Sequence, residues 1–264
     1  MNILVCLKQV PDTETQIKIV QDGRSIVTDN IKWVINPYDE YAVEEALRLK
    51  EKFGGEVTII SVAPNRATES IRTALAMGAD KGILVDDSSI GDSDSLGISR
   101  ILAEVIKELD YDIILCGKQG VDDDHGLVGS ILAELLDIPQ VSVVTKLEVS
   151  EDGSGLKAHK EIEGATLVIE SPLPALITAQ KGLNEPRYAS LPGIMKAKKK
   201  PLDVKTVTDL GLDAGQVGEN GAKIKIVQIT LPKEREAGKV VEGETPQEKA
   251  ANLVKLLHEE AKVF

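Results

Sequence analysis

The chain of 264 residues carries 31 lysines and arginines against 43 aspartates and glutamates, a formal charge of −12, and is 42% hydrophobic but only 3% aromatic. That length suffices for one large domain or two smaller ones, and the acidic balance argues against a nucleic-acid partner or an anionic membrane surface, which need a positive field. The apolar runs fall far short of the roughly 20 residues that span a bilayer, residues 3–7 are too short for a secretory leader, and Cys6 and Cys116 make neither a disulfide framework nor a zinc site. No membrane insertion and a reducing cytoplasm are the expectations.

Residues 3–7, 56–62, 82–85 and 113–116 do not alternate polar and apolar side chains, so they read as strands buried on both faces. Between them Ala42, Val43, Ala46, Leu47 and Phe53 keep helical spacing, as do Ile98, Ile101, Leu102, Val105, Ile106 and Leu109 behind aspartates that can cap. A further helix is expected after Asp124, with Val128, Ile131, Leu132 and Leu135 on one stripe. Such alternation predicts an α/β fold, a Rossmann-like doubly wound parallel sheet with its ligand crevice at the carboxyl ends of the strands.

From about residue 141 the pattern changes. Residues 143–149, 156–162, 166–170 and 175–179 are strand-like and separated by Gly or Pro turns, which predicts an antiparallel addition to the sheet. Prolines 172, 174, 186, 192 and 201 punctuate the next stretch, and beyond Pro201 the chain is Gly-rich and charged, with one more expected strand at 224–231. Thr245, Pro246 and Glu248 form the start of a capped helix bearing Ala250, Leu253, Val254, Leu257 and Ala261 on one face. This divides the chain into a nucleotide-binding domain at 1–200 and an arm at 201–264. The helix of that arm packs on a partner subunit or back on its own sheet, and periodicity does not choose.

The three histidines, His125, His159 and His258, have no Gly-x-Ser-x-Gly or catalytic-cysteine context, and neither common phosphate-cradle fingerprint is present. Residues 117–129 carry more information. Glycines at 117, 120, 126 and 129 allow close approach of a ligand, and the loop enters a helix whose free N–H groups favour an anion. Asp122, Asp123 and Asp124 repel phosphate unless they cap that helix and bind backbone or ribose hydroxyls while the amides of residues 126–129 face the phosphates. Plain capping and a Mg²⁺ site are the alternatives, the latter lacking a second acidic cluster. At the entrance to the first helix, Asp39 reads as its N-cap and Asn36 as a turn former.

The run Leu-Asn-Glu-Pro-Arg-Tyr-Ala-Ser-Leu-Pro at 183–192, followed by Ile-Met-Lys-Ala-Lys-Lys-Lys at 194–200, resembles the signature of electron transfer flavoprotein β subunits. Residues 8–12, 36–47 and 117–129 fall in register with that family, so the resemblance covers nearly the whole chain. It implies a domain that pairs with a larger α subunit and passes electrons between flavins. It further implies a cofactor site at Lys8, Gln9, Val10, Asp12, Asn36, Asp39, Ala63, Cys116, Lys118, Gln119, Asp122, Asp124, His125, Gly126, Leu127, Val128 and Gly129, with no catalytic residue and no metal. A loop within 182–192, from Leu183 to Leu191, would dock a partner flavin dehydrogenase of acyl-CoA or hydroxy-acid type through Leu183, Asn184, Glu185, Pro186, Arg187 and Tyr188, with Leu183 as its exposed anchor.

The family has a respiratory branch holding AMP and an NADH-oxidising, electron-bifurcating branch holding a second FAD. Residues 8–12, 36–39 and 128–129 look like the bifurcating branch, which implies FAD, NADH as donor or NAD as acceptor, and ferredoxin as a further candidate acceptor. Gly126 and Leu127 depart from that branch, and Asp123, Asp124 and His125 stand where a threonine hydroxyl is usual, which removes a side-chain donor. The rival readings are a stand-alone adenine-nucleotide-binding regulator, which does not need the arm, and an ATP-using amidating enzyme, which lacks its Ser-Gly-Gly loop.

Overall fold

The computed structural model describes residues 1–233 and 237–264. In chain order the elements are β1 (Asn2–Cys6), β2 (Gln9–Pro11), β3 (Trp33–Ile35), α1 (Pro37–Phe53), β4 (Glu56–Val62), α2 (Thr68–Met77), β5 (Lys81–Val85), α3 (Ser95–Lys107), β6 (Ile113–Gly117), α4 (Val128–Leu136), β7 (Gln140–Val149), β8 (Gly155–Ile162), β9 (Ala165–Pro172), β10 (Ala175–Ala179), α5 (Leu191–Ala197), β11 (Leu202–Lys205), α6 (Gly218–Gly221) and α7 (Pro246–Lys255). One nine-stranded sheet runs β11-β5-β4-β1-β6-β10-β7-β8-β9.

The side chains of β1 show why the sheet is doubly wound. Ile3, Val5 and Leu7 join Val43, Leu47 of α1 and Ile71, Leu75 of α2 in one core. Leu4 and Cys6 join Ile101, Val105 of α3 and Leu132 of α4 in another. A strand sealed on both faces cannot alternate polarity, which is the pattern in the sequence. The chain builds outward from β1 through β4 and β5, then returns to its other side as β6. The carboxyl ends of β1 and β6 therefore flank the topological switch point, where such sheets bind ligands.

The expected antiparallel addition is narrower than predicted. Only β8 and β9 pair antiparallel beyond β7, whereas β10 inserts between β6 and β7 and runs parallel to both. Its five residues are all buried, so alternation gave no clue to direction. No strand forms at 224–231 among the described residues; Ile224, Ile226 and Val227 stay exposed because no sheet edge is beside them. Beyond residue 201, β11 pairs with β5 and Val207, Leu210 and Val217 enter the second core. A separate small unit consists of residues 19–25 with 228–264, where the Ile229 amide donates to the Gly23 carbonyl at 2.7 Å. Residues 234–236 of the expected arm lie outside the described residues. Within this unit α7 starts on the capping box of Thr245 and Glu248 and none of its residues is buried.

Arg72 on α2 donates to the carbonyls of Ala197 and Lys200, both at 2.6 Å, and Lys200 returns its ammonium to the carbonyls of Leu75 and Ala79 at the end of α2. These charge-assisted bonds pin the lysine run to the domain. Arg72→Ala should cost about 2 kcal/mol and raise hydrogen exchange in residues 191–200 while β1, β4 and β6 keep their protection; unchanged exchange there would remove this role from Arg72.

Candidate functional site

The switch point is organised by two side chains at the start of α1. Asn36 and Asp39 are 1% and 4% exposed, the latter because it faces back across the end of β6 rather than out along the helix. Asp39 Oδ2 accepts the Lys8 amide at 2.7 Å, and Oδ1 accepts the Gly117 amide at 2.9 Å and Asn36 Nδ2 at 3.0 Å. Asn36 Nδ2 also donates to the Gln119 carbonyl at 2.9 Å, and its Oδ1 accepts the Val121 amide at 3.1 Å. The expected roles are thus corrected: Asn36 occupies the N-cap position without a side-chain cap, and Asp39 lies inside the helix, tying β1 to β6 instead of capping. Burial pushes the Asp39 carboxyl up to about 7, against the lowering effect of its bonds from Lys8, Asn36 and Gly117. Gly117 is required here, since a Cβ would sit 2.3 Å from Asp39 Oδ1.

The loop above is acidic and partly offset by one lysine. Lys8 Nζ lies 2.7 Å from Asp122 and 2.8 Å from Asp123. Burial works to lower the Lys8 pKa, but bonds from both carboxylates hold it above the ordinary value; burial works to raise Asp123, and Lys8 with the His125 amide holds it below. Asp124 accepts from Gln119 Nε2, Asp123 Oδ1 accepts the His125 amide, and Lys118 stands over the Tyr38 ring at 4.8 Å. None of the aspartates caps α4, so the capping expected of them is not made. An ammonium already lies between Asp122 and Asp123, and among the described residues no three His, Cys, Asp or Glu side chains converge as metal ligands.

The helix entrance that results is open. Gly126 adopts φ +61, a left-handed turn that favours glycine, Leu127 and His125 are exposed, and Gly129 is buried against the Thr178 methyl. With no side-chain cap on α4, the first amides of the helix beside Val128 are free for an anion. A nucleotide phosphate is compatible with this arrangement, because the amides at the start of α4 carry no side-chain cap and Lys8 offsets part of the charge of Asp122 and Asp123.

Other expected site residues have different duties. Gln9 turns to Ser70 and the Arg66 carbonyl at the start of α2, Val10 is wholly buried, and Asp12 is paired with Lys32. The Ala63 amide donates to Val85 at 3.1 Å, and the Cys116 thiol lies in the second core beside Cys6. The structure therefore brings Lys8, Asn36, Asp39 and the 117–129 loop together, with the Cys116 thiol next to Asp39, and leaves the side chains of Gln9, Val10 and Asp12 outside that group. A hollow of about 320 Å³ lined by Asn2, Glu56, Thr58, Lys81 and Glu108 lies at the opposite, amino edge of the sheet, away from the helix entrance.

The expected docking loop is also redrawn. Leu183 is half-buried against the first core instead of exposed. Asn184 donates to the Tyr41 carbonyl and to Glu45 at 3.0 and 2.9 Å, and Arg187 binds Glu44 and Glu51. Burial acts to raise Glu44, yet Arg187 and Arg48 hold it below the usual carboxylate range. These residues fasten the loop to α1. What projects is Tyr188, 97% exposed, followed by Leu191 at 79% and Met195 at 73%, with Glu185 also exposed and Pro186 half-buried. Leu191 closes the expected docking loop and projects further than its expected anchor, Leu183.

A mostly parallel sheet covered on both faces, with an open helix entrance at its switch point, defines a Rossmann-like α/β protein. The Electron transfer flavoprotein domain family matches residues 24–210. The chain is 46% identical to the electron transfer flavoprotein subunit beta of Bacillus subtilis over the whole of both chains, 43% identical to that of Bradyrhizobium diazoefficiens, again over the whole of both, and 40% identical to that of Homo sapiens over 96% of each. The chain belongs to the electron transfer flavoprotein β-subunit family, which makes it a component of electron transfer and implies an α-subunit partner. Among the described residues no helix is long and apolar enough to cross a membrane.

Gly117→Ala would force the Asp39 carboxylate and the Tyr38 backbone apart, an overpacking cost of about 1–3 kcal/mol. Urea unfolding should show the midpoint fall, and an unchanged midpoint would mean that β6 yields without strain.

Proposed function

We propose that this chain holds FAD at the switch point and, paired with a flavin-bearing α subunit in the cytoplasm, passes electrons from NADH to a partner flavin dehydrogenase by bifurcation or its reverse, with ferredoxin as the low-potential acceptor. The observation that carries the reading is the uncapped entrance to α4 beside a loop in which Lys8 pairs with Asp122 and Asp123. FAD, when bound, supplies a ring system that accepts a hydride and releases electrons singly. This chain contributes the amides of residues 126–129 toward the diphosphate, and Lys8 keeps Asp122 and Asp123 from repelling it. FAD rather than AMP is supported by the residues at 8–12, 36–39 and 128–129, which resemble the bifurcating branch.

Extraction of the purified complex should release FAD from this subunit in addition to that of its partner; AMP with a single FAD per heterodimer would overturn the bifurcating assignment. Lys8→Met, which leaves two carboxylates facing the phosphates, should weaken nucleotide binding about tenfold at low salt, with a smaller loss at high salt as screening takes over. Binding that is unaffected at either ionic strength would separate Lys8 from the site.

For docking we propose the projecting tip of Tyr188, Leu191 and Met195 in place of Leu183, an apolar knob beside the exposed Lys196, Lys198 and Lys199, suited to a pocket with an acidic rim. Leu191→Ala should raise the half-saturating dehydrogenase concentration about thirtyfold, the equivalent of about 2 kcal/mol, with nucleotide content intact. Leu183→Ala should instead lower the melting temperature. The reverse pattern would return the anchor to Leu183.

A further inference from the structure

Beneath the loop that receives the nucleotide, Asn36 and Asp39 touch four points of backbone and almost no solvent. We infer that these two are positioning residues, a buried clasp that sets residues 8, 117, 119 and 121 in the shape that accepts a nucleotide and that grips best while Asp39 is ionised. The inference rests on the nucleotide reading above and adds a control to it.

The geometry gives the dependence on charge. All three partners of the Asp39 side chain are donors: the Lys8 amide, the Gly117 amide and Asn36 Nδ2. A carboxylate satisfies them all, whereas a carboxylic acid puts its own O–H among donors and must give up a bond. Asn36 is committed on both sides, with Nδ2 bridging Asp39 and Gln119 and Oδ1 on Val121, so slack at Asp39 passes directly to the loop. The sign comes from linkage. Burial raises the Asp39 pKa to about 7 and each bond lowers it, so a loop that has let go while α1 and β6 still bury the carboxyl binds the proton more tightly. Protonation therefore favours the slackened loop, and the clasp loosens as pH falls through 7.

The charged and titratable groups facing Asp39 are Lys8, two residues beyond β1, and the Cys116 thiol at the end of β6. The bond from Cys6, with burial, raises the Cys116 pKa well above its ordinary value, and Lys8 remains a cation between Asp122 and Asp123. His125 lies in the same loop, 3.8 Å from Asp123, so the imidazole is removed in a His125→Gln background.

The test uses the native complex with FAD and, separately, AMP as probes, at pH 8 and pH 6. Hydrogen exchange of the 117–125 segment, corrected for the intrinsic pH dependence of exchange, should rise about tenfold on acidification, matching the fall in ionised Asp39 across a pKa near 7. Retention of the bound nucleotide should fall in parallel, in the wild type and in His125→Gln alike. Asp39→Asn, similar in size but placing an amide among donors, should give fast exchange and weak retention at both values of pH, with the melting transition still cooperative. Segment exchange in the wild type that is the same at both pH values, or pH-dependent retention that survives in Asp39→Asn, would overturn the clasp. Should the variant fail to fold, the wild-type exchange profile alone decides. If AMP is retained and FAD is not, the bifurcating assignment fails while the exchange measurements still judge the clasp.

Discussion

A carboxylate sealed from water beneath three N–H donors is the constraint on which the rest of this site depends. Asp39 is on a helix, Lys8 comes after one central strand and Gly117 ends its neighbour, so a single side chain fixes the relative positions of three segments distant in sequence. Its bonds offset much of the cost of burying it, but not all, as the upward shift of its pKa shows. The same contact dictates glycine at 117, where no side chain would fit. The shape of the loop is thus imposed from the core, and its exposed aspartates are free to be managed by Lys8.

Much of the architecture was legible in the sequence because the central strands lie between two cores and so cannot alternate. The helix caps were legible where a side chain does the capping, at Asp94 and Thr245. What escaped had weak local signals. The four residues of β11 gain order from pairing with β5, and α2 shows a stripe of only Ile71, Ala74 and Leu75. The direction of β10 is invisible in a run buried throughout.

The glycine-rich loop and the helix it enters were legible in the sequence, but the capping expected of Asp39 and of Asp122 to Asp124 is not what their side chains do. Sequence adjacency suggested that Asp122 to Asp124 would cap the helix they precede, while the lysine that binds two of them comes from more than a hundred residues earlier. Long-range ion pairs leave no trace in spacing. For the same reason Leu183, flanked by polar residues, looked like an exposed plug, whereas Asn184 and Arg187 bind partners on α1 and draw it inward. Resemblance identified the segment; only packing distinguished its root from its tip.

The capping box of α7 fixes where its helix begins but not what its apolar stripe meets. Leu253 and Val254 remain about half exposed and no residue of α7 is buried, and the helical stretch, continued by Leu256–Glu260, is of a length at which an isolated helix in water is only marginally stable. Apolar surface laid against that stripe would therefore hold the helix more firmly than its own propensity does.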